Sequence, residues 1–382
     1  MHLVQYSNMY RLHHYLHFLK NRELNELYLS IAIRSFTLSM ISIFIPIFLL
    51  KLNYSLVNIF IFYAILNAVH ALFVIPATKI SSKYGFKHSI FYSIPPLVVF
   101  YMALFTLEHF NWPIYLLAAI YGISNSLFWM GYHVDFSKFS DKKNRGKEIG
   151  ITKGLSLISN IPGPAVGGLI LTFFGFEALF ALVSVLLILS AVPLFFSKDL
   201  HEPISFSMKE IFKRYEIKDM LAFAGYGTES GISSVIWPIF IFFAILNNFT
   251  MVGLVSSLST FFSIVFVFIV AEISDIRRRL VLKIGSIMNT LIWIIRFFIK
   301  TAFQVFIIDS SYGVSQTLLY IPFDALSYDK ANKLNIVKFI MFREMMIQTG
   351  RVILFLIMTI IATTLTTSFL FGGMASLLFL FF

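Results

Sequence analysis

Residues 230 to 271 hold no Asp, Glu, Lys or Arg, and residues 352 to 382 hold none either. Such stretches constrain the fold more than any motif, because about 20 apolar helical residues cross the ~30 Å core of a bilayer. Shorter uncharged stretches cover 35–50, 52–78, 89–107, 109–134, 154–176 and 178–197. The whole chain is 58% hydrophobic and 13% charged, against about 25% charged in soluble domains. An all-α integral membrane protein follows, since a helix satisfies its own backbone hydrogen bonds where lipid offers none.

Each of the two longest stretches reads as a helical hairpin, broken near Asn247 and Asn248 in one and near Thr366 to Ser368 in the other. Two further segments, 281–300 and 303–323, are apolar around isolated charges. The pattern predicts twelve transmembrane helices at 27–50, 55–77, 89–107, 113–135, 151–173, 176–196, 220–245, 250–270, 281–300, 303–323, 344–364 and 368–382. They form an N-terminal half (27–196) and a C-terminal half (220–382), with a leading segment (1–26) and a central loop (197–219). The last span, about 15 residues or ~22 Å of helix, is expected to thin the bilayer or to continue past Phe382. Residues 1–25 are polar and basic with no separate apolar core, so no cleaved signal peptide is expected.

The net charge of +11 suggests nucleic acid only until the basic residues are placed. Of 30 Lys and Arg, 25 fall in the N-terminal segment and the even-numbered loops; Lys51 and Lys300 fall in odd-numbered loops, and Arg34, Arg296 and Arg351 lie inside spans. This asymmetry is a topology signal, so a multi-pass plasma-membrane protein with both termini in the cytoplasm is expected, bound to lipid and not to nucleic acid. The absence of cysteine excludes disulfides, thiolate metal sites and cysteine nucleophiles. His13 and His17 have metal-ligand spacing but no third ligand nearby, and an interfacial amphipathic helix explains them. No metal and no other cofactor is expected.

The chain repeats itself. "FIPIFLL" (44–50) is answered by "IWPIFIF" (236–242), setting Pro46 opposite Pro238. "TKISSKYGFKHSI" is answered by "AEISDIRRRLVLK", setting Ser82 opposite Asp275, and "YHVDFSKFSDKKN" from Tyr132 by "YIPFDALSYDKAN" from Tyr320. The offsets are 192, 193 and 188, in order, which supports two similar six-helix halves of the kind that recur in transporters.

In these features the chain resembles the major facilitator superfamily. Members carry a Gly-x-Leu-Ala-Asp-Arg-x-Gly-Arg-Lys loop after span 2 and a relative of it after span 8. Gly85 and Lys87 match the first, with Ser82 where the aspartate belongs; Asp275 followed by Arg277, Arg278 and Arg279 matches the second. "RGKEIG" (145–150) and "GPAVGG" (163–168) also look like the family's loop 4/5 and fifth span. The resemblance implies two six-helix halves, a cavity lined by spans 1, 4, 7 and 10, and cytoplasmic loops that hold the halves together. Asp141, Arg145 and Asp329 are loop candidates for that role. Independently of the family, Pro162 and Pro164 remove two helix donors while Gly163, Gly167 and Gly168 admit a neighbouring backbone, for tight packing or for a gating hinge.

Polar and aromatic residues recur at helical spacing along four spans: Ser30, Arg34 and Thr37; Tyr121, Asn125, Trp129 and His133; Tyr226, Glu229, Ser230, Ser233 and Trp237; Asp309, Tyr312, Gln316 and Tyr320. Intramembrane ionisable groups are costly unless paired or hydrated, and so mark function. Arg34 and Glu229 sit at similar depth and are expected to pair across the cavity; Arg296 and Asp309 form a second candidate pair. Glu229 is the first choice for a coupling or substrate-binding carboxylate. His133 and Asp135, two residues apart, point about 200° from each other on a helix and do not make a dyad. His70 and Asn67 read as helix-to-helix hydrogen bonds. The expected function is secondary active transport of a small solute by alternating access, with protons as candidate coupling ion and the chain a monomer. A polytopic membrane enzyme and a transporter-derived sensor or scaffold are the alternatives.

Overall fold

The computed structural model describes residues 22–139, 158–196, 216–361 and 364–382, and every regular element among them is helical. Helix α1 (Arg22–Ile41) passes through a 3-10 turn (Ser42–Phe44) into α2 (Ile45–Lys51). Then follow α3 (Leu56–Tyr84), α4 (Phe86–Phe105), the short α5 (Leu107–Phe110), α6 (Ile114–Phe139) and α7 (Pro162–Ala191). The remaining elements are α8 (Ile217–Gly231), α9 (Trp237–Ile241), α10 (Phe249–Arg296), α11 (Ala302–Lys333), α12 (Ile336–Ile360) and α13 (Thr367–Leu378).

Local chemistry sets the breaks. Asn247 takes a left-handed backbone (φ 42°) and the Asn248 side chain accepts from the Met251 N–H, ending one helix and starting α10 at the expected hairpin. Thr301 and Gln304 form a reciprocal capping box at the start of α11. Two long helices bend where sequence places a span boundary. Gly175 breaks α7 at φ 79°, a conformation only glycine adopts cheaply, and Arg277 breaks α10 at φ −135°, ψ 49°. Pro46 and Pro238, matched by the repeat, both open a helix that restarts after an irregular turn, 3-10 in one case and π in the other.

One boundary differs from expectation. Only residues 334 and 335 separate α11 from α12, whereas spans ending at 323 and beginning at 344 leave a long loop. The charges taken as loop markers lie in helices, because Arg343 and Asp324 pair with each other at 2.8 Å.

Among the described residues, seven helices are long and apolar enough to cross a membrane, the kinked run Ile158–Leu194 counted as one. Helices α3 and α12, and α7 and α10, pack the first part of the chain against the second. A Cβ on Gly167 would lie 1.9 Å from the Met40 carbonyl of α1 and one on Gly168 2.5 Å from that of Phe249, so these backbones touch. Gly163 abuts the Ser39 side chain. Pro162 stands at the start of α7 with Pro164 buried two residues on, and the Ala165 N–H donates to Ser257 Oγ at 3.0 Å. At the end away from Lys83, Lys87 and Lys330, aromatic rings close the two parts together: Phe44 on Phe249, and Phe60 and Tyr63 on Phe355.

Candidate functional site

A cavity of about 500 Å³ lies between the two parts of the bundle. Helix α1 brings Arg34, α6 brings Trp129, Tyr132 and His133, and α8 brings Tyr226; α11 and α12 supply Gln316, Tyr320, Asp324, Tyr328, Arg343, Glu344, Gln348 and Arg351. Spacings of three or four turn each set toward one face of its helix.

Arg343 organises one end. It donates to Asp324 Oδ1 (2.8 Å), Glu344 Oε1 (3.0 Å) and His133 Nε2 (3.0 Å). A guanidinium only donates, so His133 accepts there and its Nδ1–H donates to the Tyr328 hydroxyl (2.7 Å). His133 Nε2 is also 3.4 Å from Glu344 Oε1, and His70 Nε2 approaches Glu344 Oε2 at 3.8 Å. Glu344, on one side of the cavity, therefore lies between two histidines from the other. Neither expected helix-to-helix hydrogen bond forms: His70 faces α12, but among the described residues its ring nitrogens have no hydrogen-bond partner, and Asn67 donates to its own helix at the Tyr63 carbonyl. Deeper in, Arg351 donates to Ser230 Oγ and Gln348 Oε1, and the Arg34 guanidinium stacks on Phe128 at 3.6 Å. Asn125 hydrogen-bonds Tyr121 beside Arg34.

The expected Arg34–Glu229 pair does not form. Glu229 is fully buried behind the wall, where it accepts from Asn289 (3.0 Å), Trp293 (3.1 Å), Tyr312 (2.7 Å) and Tyr320. Depth along α8 suggested the pairing, but rotation about that helix aims the carboxylate at α10 and α11. Arg296 and Asp309 do pair, at 2.6 Å, with Trp237 Nε1 donating to the other carboxylate oxygen at 2.9 Å. This cluster also lies outside the cavity wall. Tyr320 links it to the cavity directly, and Gln316 through its 2.7 Å bond to the Tyr312 hydroxyl.

Of the expected loop clamps, Asp275 and Asp329 meet through Arg278, while Arg277 is the exposed kink residue. All three belong to α10 and α11, so these ion pairs join those two helices. Gly85 ends α3 at φ 99° and Lys87 follows at the start of α4. Asp141 and Arg145, like His13 and His17, lie outside the described residues. Among those described, no group of three or more His, Cys, Asp and Glu is arranged to hold a metal.

Sequence reasoning missed Asp324, Tyr328, Arg343, Glu344 and Gln348, and gave Arg351 no role. The signal was present: Asp309, Tyr312, Gln316 and Tyr320 continue in rhythm to Asp324 and Tyr328, and Glu344, Gln348 and Arg351 repeat at four and three.

A helical bundle with several segments long and apolar enough to cross a membrane, built around a charged central cavity, is the architecture of a multi-pass membrane protein. The family model for the Major Facilitator Superfamily matches residues 27–213. The fold aligns with the E. coli fucose:proton symporter FucP at a TM-score of 0.68 and 12% identity, covering 94% of this chain and 98% of that one. A structure of FucP in the outward conformation aligns at 0.67, with the same identity and coverage. The uncharacterized protein YqgE of Bacillus subtilis (strain 168) is 24% identical over 271 residues, 65% of this chain; the match spans 61% of that relative. Over residues 27–213 the chain matches the Major Facilitator Superfamily model, and along nearly its whole length it has the fold of the FucP structures.

Proposed function

We propose that the chain is a secondary active transporter of the plasma membrane, with its termini in the cytoplasm, which exposes the central cavity to each side in turn. The observation that carries this reading is the composition of the cavity wall, to which both parts of the chain contribute ionisable residues. The twelve-span, two-half architecture is supported by the kinks at Gly175 and Arg277, which divide α7 and α10 in two, and by the matched proline breaks. The aromatic contacts at the far end correspond to a state closed toward the outside. Rocking one half against the other would open them and close the end nearer Arg343.

Protons are the coupling ion in this reading, as they are for the fucose:proton symporter FucP. Glu344 is the coupling group, because it lines the cavity and contacts His70 and His133 across the interface. Glu229, the first choice from sequence, connects to the cavity only through tyrosines and is assigned to holding α8, α10 and α11 together. In proteoliposomes supplied with a ¹³C-labelled metabolite extract, wild type should accumulate solute under an inward proton gradient. Glu344→Gln should exchange solute without accumulating it. Accumulation by Glu344→Gln equal to wild type removes the coupling role, and movement of no solute removes the transport reading.

A further inference from the structure

Among the described residues, two guanidiniums in the cavity form no ion pair with a carboxylate. Arg34 is 5% exposed, and its Nε and Nη2 have no hydrogen-bond partner. Arg351 makes three hydrogen bonds, all to the neutral oxygens of Ser230 and Gln348. Arg343 is the contrast, since Asp324 and Glu344 both neutralise it. Among the described residues, no carboxylate lies within ion-pair distance of Arg34 or Arg351. A buried charge in the membrane is costly unless paired or hydrated, and planar guanidiniums match the oxygens of carboxylates and phosphates. Both arginines line the same cavity.

Resting on the transport reading above, we propose that the solute is a small organic anion whose carboxylate or phosphate group is held between Arg34 and Arg351. The two arginines come from opposite halves, α1 and α12. A bound anion thus supplies the counter-charge that each lacks and draws the halves together, which gives binding a direct purchase on the conformational change. Trp129 and Tyr132 from α6 and Tyr226 from α8 line the same cavity and give the rest of the molecule an apolar and aromatic surface. A cavity of about 500 Å³ falls in the size range of small-molecule sites.

The test splits a ¹³C-labelled metabolite extract on an anion exchanger into retained and flow-through fractions. Each is offered to wild type, Arg34→Gln and Arg351→Gln in two assays, uptake into proteoliposomes and retention by the purified protein in detergent, both read by mass spectrometry. The proposal expects species from the retained fraction to bind and to move with wild type, and each variant to lose about tenfold or more of that binding. Phosphatase treatment of the retained fraction separates the sources: loss of the signal identifies a phosphate monoester, and persistence a carboxylate. Arg34→Gln should melt no lower than wild type, because removing an unpaired cation strands no partner; a large fall would instead mean a structural role and overturn the assignment. Anions that bind without moving support the site and sink the transport reading. Movement of flow-through species alone supports transport and overturns the anion site, as does undiminished anion binding in both variants. No binding and no movement from either fraction overturns both.

Discussion

Replacing Asp309 with Asn should destabilise the chain through what it leaves behind. Arg296 is fully buried, with Nη2 2.6 Å from Asp309 Oδ1 and its guanidinium carbon between 4.0 and 4.3 Å from the ring centroids of Trp237, Tyr312 and Trp293. Asparagine can still accept from Trp237 but removes the counter-ion. Stripping one partner from a buried pair costs ~3–5 kcal/mol, and the surviving aromatic contacts, each ~0.5–2 kcal/mol, point to the lower end. With an unfolding entropy of ~2.1 cal/mol/K per residue, melting of all 382 residues as one unit changes by about 0.8 kcal/mol per degree. A loss of ~3 kcal/mol therefore lowers the melting temperature by about 4 °C, readable by tryptophan fluorescence in detergent. Adding Arg296→Met to Asp309→Asn removes the stranded charge and should recover most of the loss. Wild-type melting in Asp309→Asn, or a double variant that loses the sum of the two single losses, would refute the argument.

Gly167→Ala forces a Cβ to within 1.9 Å of the Met40 carbonyl and should cost ~1–3 kcal/mol by overpacking, seen as a fall in melting temperature; an unchanged melt would mean that α7 and α1 are not in backbone contact. Glu229→Gln puts an amide donor among four donors and should lower thermal stability by ~1–3 kcal/mol while anion binding at the cavity persists; loss of binding with full stability would return Glu229 to the site. Because the chain has no cysteine, topology is directly testable. Lys300→Cys should react with a membrane-impermeant maleimide added outside sealed cells and Lys333→Cys should not, and the reverse pattern would invert the orientation.

The parts legible in the sequence were those set by solvation and by backbone chemistry. The uncharged run from 230 to 271, divided at Asn247 and Asn248, reported two helices because lipid excludes charge and asparagine tolerates the turn. Gly175 and the paired Pro46 and Pro238 likewise fall where the helices bend or restart. The limits of α11 and α12 were obscured by Asp324 and Arg343, which look like loop residues singly and are a buried pair together. The depth of Glu229 was readable by counting residues, but its direction was not, because that depends on how α8 is rotated against α10 and α11. The Arg296–Asp309 pair escaped this difficulty, since its members stand near facing ends of consecutive helical segments. For the cavity, the polar stripes were visible; which stripe faced which was not.

Alternating access is the central claim, and the cysteine-free chain allows it to be measured without knowing the solute. A single Ser35→Cys reports from the cavity wall, and a linker between cysteines replacing Phe44 and Phe249, whose rings are 5.9 Å apart, pins the far end shut. The account predicts that, before locking, a membrane-impermeant thiol reagent reaches Ser35→Cys from either side of a sealed vesicle. After locking, only the side bearing Lys83 and Lys330 should give labelling. Labelling from both sides of the locked protein would mean a continuous pore, and labelling from one side alone before locking would mean that the cavity never changes sides.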